Sequence, residues 1–372
     1  MNKTHFALAI ASGFSMLPAI AAGDAVTIYG QMNLGLVFDK NAYGTESTTR
    51  IDNLYTSSRL GFKGEEALAN GIDAWFKLEQ NVKPDTAGAT STAFASREGW
   101  VGAKGKFGSL ALGRGKTGYQ LASEMFDIFD AVITLDITGN MLTFMTKSGS
   151  FTNSLARGRF DNAVKYSYNT SPWLFSFDYG FGEDKTATLK ATQNYSFSAG
   201  YTFKPFWVVG AYNTEKNMRD SVNSLLPEQV NVGSTLTVIA EQKNALLLGG
   251  GWNYQAFGVG LAYQNETLKG SNSVEPTNKI NLKQNNFLLS ASYQIGSTAL
   301  KAGVILGGKF KDVPEAVSEN TGFTRYVLGA KHNLSKRTAV LAEYGVIKAK
   351  KEIMMVNKKN PAALAFAIMH SF

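Results

Sequence analysis

The chain has 372 residues, a net charge of +8, no cysteine and three histidines. The absence of thiols excludes thiol catalysis, iron–sulfur centres and Cys-type zinc sites, and the isolated His332 and His370 form neither a metal-binding spacing nor a Ser-His-Asp arrangement. No segment beyond the N-terminal leader approaches the ~20 apolar residues of a spanning helix, whereas 37 glycines, 24 phenylalanines and 15 tyrosines against 8 prolines suit a chain built of strands.

Residues 1–21 read as a signal peptide. Lys3 opens them, an apolar run follows from Phe6, and Ala19-Ile20-Ala21 ends them as an A-x-A site, with Ala22 next. Residues 22–372 are expected to form one domain, exported from the cytoplasm. Its first segment, Val26–Phe38, alternates strictly. Ile28, Met32, Leu34, Leu36 and Phe38 fall on one face, and Thr27, Tyr29, Gln31 and Asn33 on the other. That period is a strand's, and the length suits a tilted membrane strand of about 10 residues.

The pattern repeats along the chain. Leu60 and Phe62 alternate with Arg59 and Lys63, and Ala74, Phe76 and Leu78 with Trp75, Lys77 and Glu79. Further strands are predicted near 164–168, 173–181, 195–203, 206–212, 245–254, 257–265, 287–295, 298–309, 326–333 and 338–348. The last runs from Ala362 to the C-terminus. Short links at 106–108, 169–172, 203–205, 255–256, 295–297 and 334–336 alternate with long polar links near 39–50, 82–93, 116–158, 183–190, 217–241, 268–283, 310–321 and 351–361. Eight long and about seven short connections imply about sixteen strands. Short turns on one rim and long loops on the other mark a transmembrane antiparallel β-barrel of the outer-membrane kind. A soluble sandwich or propeller would have to bury Arg59, Lys77, Glu79, Arg97, Arg159 and Lys165 in a dry core, at high cost without partners.

Sixteen strands enclose water rather than a packed core. Strand parity turns Arg59, Arg97, Arg159, Lys77, Glu79 and Lys165 towards that lumen. Arg114 shares parity with Leu110 and Leu112 and points outward at the rim, as a subunit contact or a snorkelled charge. The longest link, 116–158, carries Phe126, Ile128, Phe129, Val132, Ile133, Leu135 and Ile137. An apolar loop of that length is expected to fold inside against the wall, presenting Glu124, Asp127, Asp130 and Asp136 to the arginines. Leu110–Thr117 ends like a phosphate-binding loop, but its first glycine is missing and no helical pattern follows. The Gly249-Gly250-Gly251 run suits a bend or close packing in a strand rather than a nucleotide cradle.

Several passages resemble the Gram-negative general porins of the β-proteobacterial and neisserial type. Val26-Thr27-Ile28-Tyr29-Gly30 resembles that family's first mature strand. Ser58–Leu68, with Ala74–Glu79, is similar to the next strands and turn. Arg97–Gly102, Phe107–Arg114 and Arg159–Tyr166 resemble the strands on either side of the third loop. The chain closes on His370-Ser371-Phe372, resembling the family's C-terminal barrel-assembly signal. The resemblance implies a sixteen-stranded homotrimeric diffusion pore of a Gram-negative outer membrane, narrowed by an inward third loop, with Arg59, Arg97 and Arg159 on the constriction wall. It implies passive passage of ions and small hydrophilic solutes, and partners in outer-membrane lipid, lipopolysaccharide and the barrel-assembly machinery. No enzyme activity, cofactor, metal or nucleic acid is expected. The basic wall suggests a weak anion preference. A substrate-specific channel and a non-transport, adhesin-like β-protein are the alternatives.

Overall fold

The computed structural model describes residues 26–40, 47–54, 58–86, 94–129, 158–218, 221–223, 237–272, 277, 279–309, 311–312, 322–349, 360 and 362–372. The predicted leader, Asp130 and Asp136 lie outside them. One antiparallel sheet holds eighteen strand segments, β1–β18 in chain order. Apart from two split strands, each pairs with its sequence neighbours, and β1 (Thr27–Lys40) pairs with β18 (Ala362–Ser371) to close the ring. The C-terminus completes the seam: Gly30 N donates to Phe372 O at 3.0 Å, and Phe372 N donates to Gly30 O at 3.1 Å.

Two segments continue others. β2 (Ser47–Asp52) and β3 (Arg59–Ala67) both pair with β1, opposite its C-terminal and N-terminal halves. β11 (Ser221–Asn223) extends the pairing of β10 (Phe206–Lys216) with β12 (Thr237–Tyr254). The eighteen segments therefore make sixteen staves, matching the count read from the connections. The remaining staves are β4 (Asp73–Asn81), β5 (Glu98–Gly105), β6 (Gly108–Lys116), β7 (Arg159–Thr170), β8 (Trp173–Phe181), β9 (Gln193–Phe203), β13 (Phe257–Asn272), β14 (Lys279–Ile295), β15 (Thr298–Gly307), β16 (Phe323–Asn333) and β17 (Thr338–Ala349).

Two expectations about boundaries are corrected. Residues 47–50, placed in a link, are strand, and β12, β13 and β14 run to 18, 16 and 17 residues, taking in residues 237–241, 268–272 and 279–283, also placed in links. Above the lipid both faces of a strand meet water, so the apolar alternation that reveals a strand stops there. The backbone ladder does not.

The face assignment read from parity holds on the outside. Ile28, Leu36, Phe38, Leu112, Phe177, Phe197 and Leu328 are exposed on the outer wall, where lipid covers them. Aromatic pairs Trp173–Tyr201, Phe203–Phe206 and Phe257–Tyr293 ring the short-turn end, as an interfacial girdle requires.

Candidate functional site

The inner face carries a charged cluster on β3–β5 and an apolar stretch that receives the third long connection, with further buried charges at Glu215, Lys243, Glu266, Arg325 and Glu343. On the charged side, β3, β4 and β5 stand next to one another, with Arg59 opposite Asn81 and Glu79 opposite Glu98. Glu79, only 5% exposed, is the hub. It accepts from Arg97 Nε at 2.7 Å and Tyr29 Oη at 3.0 Å, with Arg59 Nε at 3.8 Å and Lys77 Nζ at 3.9 Å. Lys77 lies closer to Glu98, at 3.1 Å. Arg97 Nη1 also donates to Asn81 Oδ1 at 2.6 Å, and Arg59 Nη2 to Gln31 Oε1 at 3.3 Å. Arg159, opposite Lys116 in register, lies in the fields of Arg97, Glu98, Glu124 and Glu79. Period-2 geometry explains the convergence: inward residues of adjacent antiparallel strands stand about 5 Å apart, so charges at alternate positions gather into one patch.

The third long connection begins inside the barrel. Thr117 caps helix α1 (Gly118–Glu124), its side chain accepting from Gln120 N at 3.1 Å. Gly118 N donates to Asp178 Oδ2 at 2.7 Å, and Tyr119 N to Ser196 Oγ at 3.0 Å. Tyr119 Oη accepts from Gln264 Nε2 at 2.9 Å. Asp178, Ser196 and Gln264 are buried residues of the inner face. Lys165 Nζ contacts Asp178 at 2.8 Å and Lys116 O at 2.9 Å, fastening the root of the connection.

Beyond α1 the anchoring becomes apolar. Phe126 is fully buried against Trp207, their ring centroids 5.0 Å apart. Phe126 and Phe129 join one cluster with Val209, Leu247, Leu288 and Ile305 from the inner face. Glycine makes the sockets. A Cβ at Gly249 would stand 2.6 Å from Phe126 Cζ, and one at Gly329 3.2 Å from Phe129 Cε1. The glycine run thus serves close packing, as its strand context suggested.

Glu124 joins loop to wall. Burial alone would raise its carboxyl, but Lys116 Nζ at 2.8 Å, Gln120 Nε2 at 2.9 Å and the field of Arg159 outweigh it and hold the group below the usual carboxylate range. A depressed carboxyl adds stability above its unfolded value of ~4.3, and that stability is lost as pH falls through the lower folded value. The α1 attachment should therefore persist at pH 5 and loosen only in stronger acid. Glu124→Gln should remove this acid transition from single-channel recordings, and a transition that survives the substitution would assign it elsewhere.

The structure brings Arg59, Lys77, Glu79, Arg97 and Arg159 together and places Glu124 within their field. It separates Lys165, which holds the loop root instead. Asp127 caps the turn that follows α1, accepting from Phe129 N at 3.1 Å. Arg114 lies outward, its Nη1 paired with Asp161 and its Nε donating to Ser96 O at 2.8 Å. Of the assembly signal, His370 Nδ1 meets Thr338 Oγ1 at 2.9 Å, and Phe372 closes the seam. Sequence reasoning missed Glu98, Asp178 and Tyr29 as partners of this site, although their inward parity was available. It also missed the buried Glu215, Lys243, Arg325 and Glu343 of the inner face.

Comparison with known proteins agrees with this architecture. The family model described as Gram-negative porin matches residues 6–352. Major outer membrane protein P.IB of Neisseria sicca is 25% identical over 357 residues, covering 94% of each chain. Among solved structures, an anion-selective porin from Comamonas acidovorans superposes with a TM-score of 0.72 at 20% identity, covering 94% of this chain and all of that one. The trimer form of OmpT from Vibrio cholerae gives 0.68 at 19% identity, covering 94% of this chain and 100% of its own. With a closed sixteen-stave barrel, charged residues gathered on one inner wall and a family match over most of its length, the chain belongs to the Gram-negative porin family, a channel of the outer membrane rather than an enzyme.

Proposed function

We propose that this general diffusion porin passes ions and small hydrophilic solutes through an eyelet between the Arg59–Arg97–Arg159 wall and the third loop, with a weak preference for anions and no catalytic step. The observation that carries the reading is the segregation of charge: three arginines share one inner wall, with Glu124 of the loop in the field of Arg59 and Arg159. Charged rings at a constriction set ion preference, and fixed opposite charges across it favour polar solutes over apolar ones. The similar Comamonas porin, which is anion-selective, supports the same sign. An adhesin-like role gives way to the porin family, and a substrate-specific channel has no observation in its favour.

The test is single-channel current in a planar bilayer under a salt gradient. Stepwise conductance in groups of three with an anion-directed reversal potential is the expected result. A cation-directed potential would remove the anion preference, and silence from folded, inserted protein would remove the pore.

The same reading includes export by the 1–21 leader, folding of 22–372 as one barrel, and delivery to the barrel-assembly machinery by His370 and Phe372. It includes contact with lipopolysaccharide and assembly as a homotrimer, supported by the trimer form of OmpT. Arg114 is assigned to the subunit contact. An exposed ion pair is worth about 1 kcal/mol or less, so Arg114→Gln with Asp161→Asn should leave unfolding of the separated barrel unchanged. The temperature at which trimers dissociate in detergent gels should fall. An unchanged dissociation temperature would make Arg114 a rim residue only.

A further inference from the structure

The wall is interrupted between β2 and β3. Asp52 stands opposite Gly35 of β1 and Arg59 opposite Gln31, so the three residues Met32–Leu34 face the six residues Asn53–Ser58. Three surplus residues cannot lie flat in the ladder and must leave the sheet on one side. Leu54 shows which side. It is 5% exposed and shares a cluster with Val37, Leu341, Ala365 and Ala367. These partners have the inward parity, and their outward neighbours Leu36, Phe366 and Ile368 are exposed. The link therefore runs over the lumen side of β1 towards β18.

Small residues make the seat. A Cβ at Gly35 would stand 2.9 Å from Leu54 Cδ1 and 2.8 Å from the Cβ of Ala367, so β1 and β18 leave a hollow for the leucine as Gly249 does for Phe126. Polar bonds root both ends of the link. Asn53 Nδ2 donates to Val82 O at 2.7 Å, Asn53 N to Asp85 Oδ2 at 3.3 Å, and Ser58 N to Asn53 Oδ1 at 2.9 Å. Ser58 is fully buried. Its Oγ accepts from Asn33 N at 2.8 Å and its carbonyl from Val82 N at 2.9 Å. Asn33 lies roughly 7 Å along β1 from Gln31, at ~3.4 Å per residue, so the link is held on the long-loop side of Arg59 and next to it.

We propose that the link Asn53–Ser58 is a second, fixed lip of the eyelet, and that it sets the size limit of the passing solute. Phe129 carries the third connection as far as Gly329 of β16, and Leu54 continues the apolar lining over β17, β18 and β1, up to the edge of the arginine wall. Leu54 is a positioning residue and touches no solute. Size is the property this lip can select, because all six of its residues, Asn53-Leu54-Tyr55-Thr56-Ser57-Ser58, are uncharged. It narrows the passage without adding to the field of the arginines. The inference rests on the diffusion-porin reading and adds a second element to its eyelet.

The test reads single-channel conductance with polyethylene glycols of graded size in the bath, beside the reversal potential in a salt gradient. A polymer that enters the pore lowers the conductance, and the smallest one that no longer does so marks the size limit. Deleting residues 55–57 leaves three residues opposite three and keeps Arg59 inward. It should move the limit to a larger polymer and leave the reversal potential unchanged. Leu54→Ala should move the limit the same way, since truncating a buried leucine shifts the seated-to-unseated ratio by roughly 30-fold or more. Leu54→Met, close in volume, should keep the parent's limit. If the deletion does not fold, the two point variants decide. An unchanged limit in a folded deletion or in Leu54→Ala, an equal shift in Leu54→Met, or a limit that moves only together with the reversal potential would overturn the lip. Silence from the folded parent would instead overturn the pore on which it rests.

Discussion

Arg97→Ala is expected to lower the anion-to-cation permeability ratio by about ten-fold, read as a shift of the reversal potential at low salt. A unit charge ~4 Å from an ion's path is worth about 1 kcal/mol in water, roughly five-fold in occupancy. Here the substitution acts twice. It removes a cation from the eyelet wall, and it strips Glu79 of its 2.7 Å partner, exposing a carboxylate to passing cations. Glu79→Gln acts in the opposite sense and should raise the ratio. The double variant has lost one charge of each sign and should return to within roughly two-fold of the parent, the non-additivity expected of residues in direct contact. Raising the salt to ~1 M shortens the screening length to ~3 Å and should flatten all three shifts. A reversal potential indifferent to Arg97 at low salt would place the narrowest passage away from this wall.

Phe126→Ala should leave the barrel folded but change its current. Removing a buried phenylalanine typically costs 3–5 kcal/mol. Phe126 makes its contacts with Trp207 and the Gly249 socket from outside the β-ladder, so the loss falls on the attachment of the third loop. Heat-modifiable migration on gels should persist, because the backbone pairings that close the ring do not involve this ring system. Single-channel traces should become noisier, with a larger mean conductance as the loop leaves the wall. Phe126→Leu keeps much of the apolar contact and should lie between the two. A barrel that no longer migrates as folded would show that the inner cluster supports the wall itself, and quiet traces would show that α1's polar contacts suffice.

The barrel, its stave number and the facing of most side chains were legible in the residues. A period of two is imposed by strand geometry wherever lipid lies on one side and water on the other, and Val26–Phe38 carries it without interruption. Where that contrast ends the signal ends too, which is why residues 47–50 and the upper parts of β12–β14 read as loop. Arg97 has the parity of the outward Val101 and reaches Glu79 from just before β5, so parity marks Arg59 as inward but not Arg97. Parity carried no information on which charges meet. Parity treats Lys165 and Lys77 alike, yet one ties down the loop root through Asp178 and the other lies between Glu98 and Glu79.

The sequence by itself determined a closed ring of strands with an apolar outside, because each of those properties is written locally, residue against next residue. Only the tertiary structure decided that Glu79 gathers four partners, that Asp178 anchors α1, and that Gly249 and Gly329 leave room for Phe126 and Phe129. Those contacts join positions far apart in the chain, as Gln264 joins Tyr119. Their existence depends on the register and curvature of the whole ring, quantities that no local pattern of residues encodes.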